Sequence, residues 1–149
     1  MKSRTKARSI ALKVLYEVDL CGHLPGQVLA NRLEDEALDD SLTQFVSHIV
    51  SGVVKYQQIL DEFIADFAPD WPLDQVAVID RNLLRIALWE IAVNKRTPVK
   101  VAINEAVELA KVYGSEGTPR FINGVLGGFI DNLQEIKISM EIISDEEDE

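Results

Sequence analysis

The chain has 149 residues, 47% of them hydrophobic, a formal net charge of −10 and a single cysteine. That length predicts one domain, able to bury about 68–70% of its unfolded surface without metals or disulfides. Cys21 alone excludes an intramolecular disulfide or a multi-cysteine metal site, and no apolar run reaches the ~18–20 residues of a membrane span.

The first segment reads as a helix, with Ala7, Ile10, Ala11, Val14, Leu15 and Val18 on one stripe. Residues 1–13 also carry Lys2, Arg4, Lys6, Arg8 and Lys13 and no acid, and the stripe predicts these cations on the opposite, wet face. A charged start without an apolar core is no secretory signal, so a cytoplasmic protein is expected. Gly22 is suited to end the helix, with Cys21 a small buried filler just before it. Pro25 opens a short second helix through Val28, Leu29 and Leu33. The acidic run from Glu34 to Asp40 predicts a loop, with Asp39 or Asp40 capping the next helix.

That third helix is long, its apolar repeat running from Leu42 through Phe67, with Gly52 a kink or a close-packing point. Pro69 and Pro72 bracket a link containing Trp71, which predicts a boundary between sub-bundles at about 1–68 and 72–135. A fourth helix is expected from Val78 to Asn94, and Thr97-Pro98 punctuates it. In the next, Val101, Ala102, Leu109 and Val112 form the stripe, with Glu105 its polar exception. Gly114 stands where a left-handed cap would follow Lys111. Thr118 then offers an N-cap oxygen, Pro119 the first helical position, and Arg120, Phe121 and Asn123 the first turn. A helix N-terminus with a guanidinium, a ring and an amide beside it suits an RNA backbone and a stacked base.

At the C-terminus Ile136, Ile138, Met140 and Ile142 alternate, which predicts an extended arm. The last eleven residues hold six acids and no base, so the helical domain is placed at 1–138 and an acidic, flexible tail at 139–149. Without that tail the chain carries only −4, so a basic footprint at the start survives in an acidic protein. The fold expected is all-α, with about six to seven helices.

No catalytic constellation is present in the sequence. His23 and His48 are isolated, and no zinc-helix, nucleophile-elbow or phosphate-loop motif occurs. Gly127-Gly128 lies in a helical pattern without the strand that a phosphate-cradling turn needs. The expectation is therefore a binding protein with no cofactor and no metal.

Three stretches carry a resemblance: KVAINEAVELAKVYG with RFINGVL, VIDRNLLRIALWE, and RTKARSIALKVLY. Together they resemble the NusB family of bacterial transcription antitermination factors from about residue 4 to about 130. The resemblance implies a compact helical domain of two sub-bundles and no enzymatic activity. It implies that the protein binds the boxA element of nascent ribosomal RNA together with the ribosomal protein NusE, and helps RNA polymerase read through terminators. By motif, Arg4, Lys6 and Arg8 match the arginine-rich start, Asp80 and Arg81 an acidic–basic pair, and Arg120, Phe121 and Asn123 the FxNG element. The start is thinner than the family's, because Thr5 and Ala7 separate its charges, and the acidic tail is no part of the motif. A plain protein–protein adaptor is the alternative. A domain related to ribosomal RNA methyltransferases is another, but the catalytic half of such an enzyme is missing here. With few cations and an acidic body that includes Glu17, Asp19 and the 34–40 loop, tight RNA binding is expected to need a basic partner.

Overall fold

The computed structural model describes residues 1–68 and 72–148, without the side chains of residues 144 and 146–148. It holds α1 (Ser3–Cys21), α2 (Pro25–Asp35), α3 (Asp40–Phe67), a 3₁₀ turn (Leu73–Gln75), α4 (Val78–Leu88), α5 (Val99–Tyr113), α6 (Thr118–Asp131) and α7 (Leu133–Asp148). No strand occurs among the described residues. Pro69 and Trp71, which mark the expected link, lie outside them.

Several boundaries follow from local chemistry. Gly22 ends α1 in the left-handed region at φ 71°, its N–H bonded to the Val18 carbonyl. Asp39 caps α3 by accepting from the Leu42 N–H at 2.8 Å. Cys21, expected as a buried filler, is exposed at the end of α1.

α1 is the hub, packing against α2, α3, α4 and α5. Its residues Ala7 through Leu12 are all buried, Arg8 and Ser9 among them. A helix surrounded by neighbours has no wet face along its middle, so the expected exposure of the cations fails at Arg8.

α3 lays Val46, Ile49, Val50, Val53, Leu60 and Ile64 into the core. Gly52 is a close-packing point, since a methyl group there would overlap the indole of Trp89. Trp89 opens a wider π-helical turn, Trp89–Asn94, that continues α4 where one unbroken α-helix was expected. The turn stops at Lys95, itself left-handed at φ 60°.

In α5 the buried stripe is Ala102, Ala106, Leu109 and Ala110. Val101 and Val112, counted on the expected stripe, are 43% and 59% exposed. Gly114 is extended rather than left-handed. The room it leaves is used by Thr118, whose Cβ would lie 2.5 Å from any Cβ at position 114. Thr118 itself is the first residue of α6 and not its cap; Gly117 precedes it.

The expected extended arm is helical. Ile136 and Met140 are buried at 2% and 3%, while Ile138 and Ile142 are exposed. An alternating run contains i, i+4 pairs, and one such pair on the bundle is enough to favour a helix where no partner strand exists. Lys95 Nζ and Glu141 meet at 2.7 Å on the surface beside it.

Candidate nucleic-acid interface

α1 and α4 run antiparallel, and two ion-pair clusters lie at the two ends of their contact. At one end Arg8 donates from Nε and Nη2 to Glu90 at 2.9 and 2.8 Å. Glu105 lies 3.5 Å from the same guanidinium, and Thr97 donates to Glu90 Oε1 at 3.0 Å. At the other end Arg81 donates from Nε and Nη2 to Asp19, both at 2.6 Å. Asn82 and Arg85 also donate to Asp19, at 2.9 and 3.0 Å, and Arg85 makes a second two-point contact with Asp61. From Arg81 to Glu90 the helix rises about 13 Å.

The residues expected to meet RNA divide between these ends. Arg4 and Lys6 are exposed at the start of α1. The Arg4 guanidinium sits 4.8 Å from the centre of the Phe45 ring. Arg8 is inside, 3% exposed, and its hydrogen-bonding capacity is turned to Glu90. It holds α1 to the π-helical turn and presents no surface to a phosphate. Arg81 is likewise folded back onto Asp19, its side chain 15% exposed.

Asp80, by contrast, has no cation within ion-pair distance among the described residues. It accepts from the Thr118 hydroxyl at 2.9 Å, and that hydroxyl accepts in turn from the Ser115 N–H at 3.0 Å. Beside it is an open pocket of about 200 Å³ lined by Gln75, Val76, Ala77, Asp80 and Phe121. Arg120 and Asn123 are exposed on the same turn of α6, and Phe121 is half-buried. The structure therefore brings an acceptor and an aromatic ring together at the head of α4, with Arg120 and Asn123 exposed on the adjoining first turn of α6 and the thinned basic start at the other end of α4. Phe45 under Arg4 gave no sequence signal, because its place in the apolar repeat of α3 marks it only as core.

Burial lifts the Asp80 carboxyl above its ordinary value of 3.8, and the Thr118 hydroxyl only partly opposes this. A raised carboxylate pKa means that stability falls as pH rises through the window above 3.8, where the unfolded chain has already lost the proton. Asp80→Asn keeps an acceptor for Thr118 and removes that charge. Its melting temperature at pH 7 should equal or exceed the wild type's, and a lower value would show Asp80 to be a structural anion.

The NusB family model matches residues 5–131. The transcription antitermination protein NusB of Roseiflexus sp. (strain RS-1) is 44% identical over 134 residues, covering 89% of this chain and 94% of the relative. That of Dehalococcoides mccartyi (strain CBDB1) is 49% identical over 124 residues, covering 83% and 87%. Among solved structures, T. maritima NusB superposes with a TM-score of 0.78 at 30% identity, over 90% of this chain and 89% of the other. A crystal structure of antitermination factors NusB and NusE in complex with dsRNA gives 0.79 at 26% identity, over 93% and 98%. With most of its length matched in both sequence and fold, this chain belongs to the NusB family.

Proposed function

We propose that this chain is an RNA-binding transcription antitermination factor. It binds boxA-type single-stranded RNA together with ribosomal protein NusE and promotes read-through by RNA polymerase, in the cytoplasm and without catalysis of its own. The observation that carries the reading is the pocket at the head of α4, where Asp80 has a hydrogen-bond donor but, among the described residues, no cation, and where Phe121 forms one wall. A carboxylate of this kind accepts from the N–H edge of an unpaired base, and the ring supplies a stacking face. Arg120 and Asn123 stand beside it for the backbone, and Arg4 and Lys6 add cations at the far end. Arg8 and Arg81 act indirectly, by holding α1 and α4 in register. The relatives named as antitermination proteins, and the solved NusB–NusE–dsRNA complex among the structural neighbours, support the same assignment.

NusE compensates for the shortage of free cations. Of the carboxylates expected to meet a basic partner, Asp19 is used internally, whereas Glu34, Asp35, Asp39 and Asp40 are exposed. A basic protein on this acidic side extends the cationic surface available to RNA. In a fluorescence titration with a boxA oligomer, added NusE should tighten binding at least about tenfold, roughly 1.4 kcal/mol of coupling. An RNA dissociation constant indifferent to NusE would remove the cooperative mechanism. In the same assay Phe121→Ala should cost about 1–3 kcal/mol of RNA binding, and Asp80→Asn about tenfold. Full binding by both variants would return the pocket to a packing role and favour the adaptor alternative.

A further inference from the structure

A second cleft, of about 230 Å³, opens where the start of α3 meets the end of the π-helical turn. Arg4 and Arg96 line it, with the amides of Gln44 and Asn94, and with His48 and Phe45. Among the described residues neither Arg4 nor Arg96 has a carboxylate within ion-pair distance, although Arg8, Lys13, Arg81, Arg85, Lys95 and Lys111 all do. Two unneutralised guanidinium groups in one cleft of an acidic protein repel each other and are offset by an anion from outside. The site is also partly preorganised. Phe45 holds the guanidinium of Arg4 at 4.8 Å, and that of Arg8 lies 5.2 Å from the same ring. Since the ring already serves two cations, the cleft is built for a phosphate and not for a stacked base. Planar guanidinium donors suit phosphate oxygens in two-point geometry, and the amide N–H groups of Gln44 and Asn94 supply further donors.

We infer that this cleft binds a phosphodiester of the RNA strand, with Arg96 closing on the group that Arg4 meets. The inference rests on the RNA-binding reading above and adds a contact about one helix length from the Asp80 pocket. No motif marks Arg96 in the sequence; the left-handed turn at Lys95 sets the direction in which the chain leaves the π-helical turn just before it.

The test is a boxA-type oligomer titrated into the full chain at several salt concentrations, with wild type, Arg96→Ala, Arg96→Gln and Lys111→Ala. Lys111 is an exposed cation on α5, paired with Glu108 away from the cleft, and it controls for net charge alone. Both Arg96 variants should bind about tenfold more weakly and lose roughly 0.7 from the log–log salt slope, one single-strand phosphate contact. Their melting temperatures should match wild type, because Arg96 is exposed and has no ion-pair partner among the described residues. Unchanged affinity and slope in the Arg96 variants, with wild type binding normally, overturns the inference and leaves the functional reading intact. An equal loss in Lys111→Ala also overturns it, by showing a diffuse charge effect. Wild type that binds no RNA at all overturns the functional reading and this inference together.

Discussion

Glu90→Ala should destabilise the fold by about 3–5 kcal/mol, because it strips Arg8 of its two-point partner inside the bundle. The two side chains are 3% and 1% exposed, so water cannot replace what is lost. Glu105 lies 3.5 Å from the same guanidinium and is 19% exposed, which places the expected cost in the lower half of that range. Thr97 would lose its acceptor at the same time. Urea melts at neutral pH measure the effect directly. A double variant, Arg8→Met with Glu90→Leu, removes both charges at similar volume and should recover most of the loss. If Glu90→Ala melted with wild type, the pair would not be holding α1 to the π-helical turn. The same argument governs RNA work on the basic start: Arg8→Ala is expected to weaken RNA binding by loosening the fold, so a test for direct contact belongs at the exposed Arg4 and Lys6.

Asp19→Ala should cost about 3 kcal/mol, the low end for a broken buried pair, since Asp19 is 15% exposed. One carboxylate there receives Arg81, Asn82 and Arg85, so its removal leaves three donors of α4 facing one another. Burial works against the charged form of Asp19. The hydrogen bonds from Arg81 and Asn82 and the charges of Arg85 and Arg81 outweigh it and hold its pKa below the ordinary 3.8. A lowered carboxylate pKa contributes stability that is fully present above the unfolded value and is lost as pH falls through the folded one. The gap between wild type and Asp19→Ala should therefore be widest near neutrality and narrow as pH drops below about 3.8. A gap that stayed constant across acid titration would mean that Asp19 acts by packing and not by charge.

Helix identity was legible from the chain wherever a single face was buried. The α3 stripe, the Asp39 cap and the Gly22 stop follow from period, side-chain oxygen and absent Cβ, all local properties. Family membership was legible too, because RFINGVL and VIDRNLLR are contiguous strings. Arg8 was misread, since a pattern counts residues along one helix and cannot register that α1 is enclosed by four others. The C-terminal alternation was misread because period 2 and the i, i+4 relation share Ile136 and Met140, and only the docking of that pair on the bundle separates them.

What the sequence determined by itself, then, is composition, helix placement and the FxNG and basic motifs, each carried by neighbours within a turn or two. Which of its arginines face outward was decided by tertiary structure. Arg8 and Arg81 meet Glu90 and Asp19 across sequence separations of 82 and 62 residues, while Arg4, Arg96 and Arg120 find no such acid among the described residues. The physical reason is that a cation's availability depends on the charges around it in space, and those come from other helices.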